Sequence, residues 1–282
     1  MVQHDPSDAK SSVAAWPAMS QDCNVFAIKS KPTNHNLLLF MLQTQMIPTG
    51  MTKLYARLAV LFFVFSLAVT PFRASAAGLS YLAPGHPDAL QLLAPPPLPG
   101  SAEQDADMQE VRAVNASATM DQKAAAMAEK KFSVFNFAAP VGDFFKAAKL
   151  PKTEAFFKRV QTDAASVVDG VKDVYMRPRP YFIDPSLANG KLETSYSYPS
   201  GHSTETMTLG LVLAEVFPEK RDAILAHARL MGWHRVQIAR HYPTDIYAGR
   251  VLAQAIVREM NENPQFQHDL AEVKAEVAAA QQ

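Results

Sequence analysis

Tyr198-Pro199-Ser200-Gly201-His202 runs straight into an apolar stretch, Thr204 to Phe217, and the reading of that junction decides the fold. Pro199 cannot continue a helix, and Gly201 lets the backbone come close to a ligand with no side chain in the way. Thr204 to Phe217 reads as a buried helix. Ser200, Gly201 and His202 then sit at its N-terminus, where unpaired N–H groups and the helix dipole favour a phosphate-like oxyanion. His202 adds a titratable proton donor beside it. A capped loop before an ordinary helix gives a similar string, so the flanking segments carry the decision.

Working outward, helix follows helix on the C-terminal side, over about 203–217, 219–240, 243–260 and 264–279. Pro218 separates the first two, while Pro243 and Pro264 open the third and fourth as first-turn residues. Phe266, Leu270, Val273 and Val277 keep a helical stripe in the last. On the N-terminal side, Thr153 to Asp173 reads as a helix with Phe156, Phe157, Val160, Ala164, Val167 and Val168 on one face. Ser101 to Lys131 reads as one more. The aromatic-rich stretch between them, Phe132 to Phe145, suits core packing. Asn115-Ala116-Ser117 has the form of a glycosylation acceptor but falls inside a helix. With no convincing strand and no repeat, the expectation is an all-α, single-domain helical bundle over residues 103–282.

The 282-residue chain is long enough for one large core. Its 27 basic and 27 acidic residues cancel, so net charge points to neither nucleic acid nor an anionic surface. Cys23 is the only cysteine, which excludes an intrachain disulfide or a thiolate metal cage. Met51 to Arg57 is a positive segment, Leu58 to Val69 a short apolar run, and Ala74-Ser75-Ala76 a small-residue cleavage site. Together they make the three-part pattern of a secretory signal peptide over 51–76. The apolar run is short for a span of about 20 residues, so no stable membrane association is expected after cleavage. A signal peptide begins a protein, so Met51 is read as the true start and residues 1–50 as an extension upstream of it. A Pro-rich arm follows over 77–102, read as polyproline II lying over the domain.

Three clusters can carry chemistry. Lys172 and Arg179 flank a helix exit that Pro178 and Pro180 stiffen. Ser200, Gly201 and His202 form the anion loop. Arg235, His241 and Asp245 come from one stretch, with Asp245 four residues beyond His241 and within reach of an imidazole nitrogen. A carboxylate there holds the ring in one tautomer and leaves its other nitrogen free to attack. Three cations plus backbone donors suit a phosphoryl group, whose transfer depends on positioning and on neutralising its oxygens.

Taken in order, Lys172-x6-Arg179-Pro180, Pro199-Ser200-Gly201-His202 and Arg235-x5-His241-x3-Asp245 resemble the three-part signature of the PAP2 phosphatase and vanadium haloperoxidase superfamily. The chain looks most like the class A bacterial non-specific acid phosphatases, a likeness that extends to the Leu92–Gly100 arm and covers roughly residues 78–262. The resemblance implies an acid phosphatase, periplasmic or secreted, hydrolysing small phosphomonoesters without metal or other cofactor. Under it His241 is the nucleophile, Asp245 its orienting partner and His202 the proton donor to the leaving group. Lys172, Arg179, Ser200, Gly201 and Arg235 hold the phosphate. One position departs from the pattern: His234 stands where the family usually has Ser, and is expected to leave catalysis intact. A vanadium-dependent haloperoxidase and a phosphotransferase using the same site are the alternatives, and a homo-oligomer is left open. Arg177 is expected to be a solvated neighbour of Arg179 and Arg240 a surface residue, with His227 and His268 solvated or capping. Trp233 and Tyr242 are expected in packing.

Overall fold

A computed structural model describes residues 78–282, so the signal peptide and upstream extension expected before residue 77 lie outside the described residues. Ten α-helices are described: α1 (Ala89–Leu92), α2 (Ala102–Ser117), α3 (Met120–Ala128), α4 (Ala138–Val141), α5 (Pro151–Tyr175), α6 (Pro180–Ile183), α7 (Gly201–Val216), α8 (Arg221–Gln237), α9 (Pro243–Glu262) and α10 (Pro264–Ala280). No strand occurs among these residues, and the all-α expectation holds.

α7 is the axis of the bundle, packed against α5, α8 and α9. Its sequence is apolar nearly all round, and Met207, Leu209, Val212, Leu213 and Ala214 are buried. Such a helix is stable only when enclosed on every side. Gly210 lets α8 come close, since a Cβ there would lie 2.8 Å from that of Ala228. α5 is amphipathic and turns Phe156, Phe157, Val160, Ala164 and Val168 inward. Each fully buried side chain of this size contributes about 1.5–3 kcal/mol relative to exposure. α10 closes the far side of α5 with the expected Phe266, Leu270, Val273 and Val277 stripe.

Local chemistry sets the boundaries. The helix expected over Ser101 to Lys131 is two helices, because Thr119 starts a new one. Its side chain accepts the Gln122 N–H while the Gln122 amide oxygen accepts the Thr119 N–H, a reciprocal cap. The helix expected over 219–240 stops at Gln237, since Ala239 takes a left-handed conformation (φ 51°) that few non-glycine residues adopt. That turn swings Arg240 and His241 away from the helix axis. Asn115 does not present itself as a glycan acceptor: its amide donates to the Gln237 carbonyl at 2.7 Å and ties α2 to α8. Ahead of the helices, the N–H groups of Ser80, Tyr81 and Leu82 all reach the buried Asp163 carboxylate of α5. The Pro-rich arm then runs over the bundle, with the Ala94 carbonyl accepting from the Tyr198 hydroxyl at 2.6 Å.

Candidate active site

The site lies at one end of the bundle, where α7 begins, α8 ends and α9 begins. Ser200 caps α7, its hydroxyl accepting the Ser203 N–H at 3.2 Å, and Gly201 and His202 form the first turn as expected. A Cβ on Gly201 would meet only ordinary contacts, 3.7 Å from Val168 and 3.8 Å from Glu205, so the protein itself leaves room there. The glycine that packing does require is Gly249 of α9. A Cβ on it would stand 2.8 Å from the Ser200 carbonyl and 3.0 Å from the Thr204 nitrogen, so Gly249 lets α9 rest against the anion loop. The sequence reading missed it.

His241 is buried beside the first turn of α9. Its Nδ1 is 3.3 Å from Asp245 Oδ2 and its Nε2 is 3.1 Å from Arg179 Nη1. A guanidinium can only donate, so Nε2 carries the lone pair and Nδ1 the proton that faces Asp245. The expected four-residue spacing therefore delivers the expected contact. Burial and then the Arg179 charge push the imidazole down to about 3, against the pull of Asp245. Burial pushes the Asp245 carboxyl up, but the His241 hydrogen bond and the Arg177 charge outweigh it and hold the group below the usual carboxylate range.

Arg177 is where the structure departs most from expectation. It is buried, not a solvated neighbour. Nη1 donates to Asp245 Oδ1 at 2.6 Å and to the Thr244 hydroxyl at 2.7 Å. Nη2 donates to Asp107 Oδ2 and Gln104 Oε1, each at 2.7 Å. Its guanidinium carbon also lies 3.9 Å from the centre of the Tyr242 ring. Arg240, expected at the surface, is likewise buried. It donates to the Lys191 carbonyl at 3.2 Å and stacks over Tyr181 at 5.1 Å. Ser197 was missed as well: its hydroxyl donates to Asp245 Oδ2 at 2.5 Å and lies 3.4 Å from His241 Nδ1. A buried acid at Asp107 on α2 gave no local signal, because its partner is 70 positions away in the chain.

Arg179, which meets His241 Nε2, is joined to a second expected cation. Arg179 and Arg235 are held by the two oxygens of one carboxylate, Glu193, at 2.8 Å each. Lys172 Nζ donates to the Tyr196 carbonyl at 2.7 Å, and burial followed by the Arg179 charge lowers its ammonium to about 8. His202 and Arg235 line a cavity of about 410 Å³ together with Lys130, Lys131, Phe132, Gln161, Glu193 and Glu205. The His202 Nε2 is buried there with no hydrogen-bond partner. Burial, then Arg235, His241 and His234, push its imidazole well below the ordinary range. Phe132 packs against the core as expected and also stands edge-on to the His202 ring, with centroids 4.5 Å apart. His234 pairs with Glu129 at 2.8 Å, tying the end of α3 to α8. His227 Nε2 lies 2.9 Å from the Asn136 carbonyl, and Tyr242 is buried as expected.

Among the described residues no group of three or more His, Cys, Asp or Glu is placed to hold a metal ion, and no helix is long and apolar enough to cross a membrane. Arg179, Arg235 and His241 are thus linked through Glu193 and Asp245, with Ser200 joined by its N–H to the Asp245 carbonyl and His202 lining the same cavity as Arg235.

The bundle's central helix thus opens near two imidazoles, a buried carboxylate and several cations, groups whose chemistry suits an oxyanion. The model of the PAP2 superfamily matches residues 162–266. The chain is 31% identical over 207 residues to a non-specific acid phosphatase of Providencia stuartii, covering 68% of this chain and 81% of that one. It is 26% identical over 204 residues to an acid phosphatase of Zymomonas mobilis, covering 69% and 77%. A non-specific acid phosphatase of Salmonella typhimurium is 30% identical over 148 residues, covering 50% and 59%. The chain belongs to the PAP2 superfamily and is a phosphatase.

Proposed function

We propose that the chain is an exported acid phosphatase that hydrolyses phosphate monoesters through a phosphohistidine on His241, without a metal ion. The observation that carries the mechanism is the orientation of His241, with Nδ1 toward Asp245 and the Nε2 lone pair toward Arg179. Nε2 attacks phosphorus as the bond to the ester oxygen breaks. Protonated His202 gives its proton to the departing oxygen, and neutral His202 then takes one from the water that splits the phosphohistidine. Inorganic phosphate and the alcohol are the products, and each histidine ends as it began. Lys172, Arg179 and Arg235 supply the positive charge a metal would otherwise bring, helped by Ser200 and the N–H groups that open α7. Because the grip falls on the phosphate, a range of esters fits the same cup.

The electrostatics are consistent with work at acid pH. Turnover needs His241 neutral and His202 protonated. Both rings are pushed below their ordinary range, His241 to about 3. His241 therefore stays neutral far into the acid range, while His202 gains its proton only on the acid side of the ordinary histidine range. The 51–76 segment supports export to the periplasm or beyond.

The test is hydrolysis of p-nitrophenyl phosphate below neutral pH, expected to be undiminished by EDTA and blocked by vanadate, a mimic of the five-coordinate transition state. His241→Ala is expected to abolish covalent phosphoryl labelling. Loss of activity in chelator, or a phosphoenzyme that persists in His241→Ala, refutes the mechanism.

A further inference from the structure

Glu193 is an acid in a place that calls for cations. Its Oε2 is 2.8 Å from Arg179 Nη2 and its Oε1 is 2.8 Å from Arg235 Nη2. One side chain therefore spans the two guanidinium groups assigned above to phosphoryl oxygens. A carboxylate offering one oxygen to each makes the same charge-assisted contacts as two oxygens of a phosphoryl group. We propose that Glu193 is a resident competitor for the phosphate subsite, seated between Arg179 and Arg235 in the resting enzyme and displaced by each incoming phosphoryl group. The inference rests on the assignment of those two arginines to the phosphate.

The surroundings fit exchange by a swinging side chain. Tyr181 pins the backbone of Glu193 from both sides, its hydroxyl accepting the Glu193 N–H at 3.1 Å and donating to the Glu193 carbonyl at 2.8 Å. Only the side chain has to move, and it lines the 410 Å³ cavity with 22% of its surface exposed. Arg179 stays in place when the carboxylate leaves, because Nε is held by the Ser195 carbonyl at 2.8 Å and Nη1 by the Arg240 carbonyl at 2.9 Å. Burial pushes the Glu193 carboxyl up, but Arg179 and then Arg235 outweigh it and hold the group below its ordinary range. It therefore keeps its charge to lower pH than a free glutamate does. A phosphoryl group and an ionised Glu193 repel at these distances and cannot share the two guanidinium groups. The carboxylate thus keeps phosphate affinity low and takes back the arginines when product leaves.

A different role for Glu193, holding two like charges side by side, gives the opposite sign. Its removal would then let the arginines splay apart and weaken phosphate binding. The experiment measures the inhibition constant of inorganic phosphate, and KM and kcat for p-nitrophenyl phosphate, in the wild type, Glu193→Gln, Glu193→Ser and Arg179→Gln. If the seated form holds about nine-tenths of the population, its removal tightens both affinities about tenfold, with kcat changed by less. Glu193→Ser, too short to reach either guanidinium, keeps the test open should the amide of Glu193→Gln still bridge them. Unchanged or weaker phosphate affinity in both Glu193 variants overturns the inference. Arg179→Gln separates the two layers of the argument. If it weakens phosphate binding about tenfold or more while the Glu193 variants do nothing, the subsite assignment stands and the competitor role alone fails. If phosphate affinity survives Arg179→Gln, the assignment itself is wrong.

Discussion

Replacing Arg177 by Met removes a cation shared by Asp107 and Asp245. Four hydrogen bonds go with it, two to carboxylates and two to the Thr244 hydroxyl and Gln104 amide. Both members of the Asp245 pair are almost wholly enclosed, at 4% and 0% side-chain exposure. Breaking one side of such a pair leaves a buried charge, at a cost of about 3–5 kcal/mol. That is a large share of the ~5–15 kcal/mol that holds a domain folded. The pH dependence has a definite sign. The depressed carboxyl of Asp245 contributes stability that is present above its unfolded pKa and lost as pH falls through its folded one. Without Arg177 the folded pKa rises, so the gap between wild type and Arg177→Met is widest at pH 7 and narrows once the carboxylate takes up a proton. Urea unfolding at pH 7 and near pH 3 reads both numbers, and Arg177→Lys, which keeps the charge but loses the planar fork, is expected to fall between them. In the folded fraction kcat drops by about 10²-fold, because Asp245 no longer aims His241. A penalty under about 1 kcal/mol, the size of a surface pair, or one equal at both pH values, would refute the reasoning.

Gly249→Ala drives a methyl into the Ser200 carbonyl and is expected to cost about 1–3 kcal/mol and to lower kcat by displacing His202. Gly170→Ala in α5, where an added Cβ meets nothing within 4 Å, is expected to stabilise by about 1 kcal/mol with activity unchanged; thermal unfolding and kcat measure both. Phe132→Ala lets water reach the His202 ring, which relieves the burial that depresses it, so the alkaline limb of the kcat–pH profile moves to higher pH. His234→Ser breaks the pair with Glu129 and is expected to cost under about 1 kcal/mol, with turnover unchanged; a clear gain in kcat would show that the histidine impairs the site.

The bundle was legible because its helices carry their own signals. Pro243 and Pro264 mark helix starts, and the stripes of α5 and α10 need nothing beyond spacing. The local pieces of the candidate site were legible for the same reason, since His241 stands just ahead of the helix turn that carries Asp245, and Ser200 caps the helix that Gly201 and His202 open. What the sequence hid is whatever depends on partners far along the chain. Arg177 looks like any charge ahead of a proline until Asp107 arrives from α2 to enclose it. Gly249 is one small residue in a helix until α7 crosses it. Glu193 sits in an irregular segment with no pattern at all, and only the convergence of Arg179 and Arg235 gives its carboxylate a meaning. The break at Ala118–Thr119 was readable from the Thr119–Gln122 spacing, and the long Ala-rich run concealed it.

The division of labour around α7 has a consequence for how such a protein can diverge. The groups assigned to the chemistry stand on or at the ends of enclosed rods, where α7, α8 and α9 constrain one another and tolerate little change. The mouth of the cavity is made by other means: the end of α3 with Lys130, Lys131 and Phe132, and the irregular segment that carries Glu193. Substitutions or insertions at that rim alter which leaving groups are admitted, and how firmly a phosphate is retained, while the grip on phosphorus stays as it was. New substrate preferences can thus be acquired at the doorway without rebuilding the room.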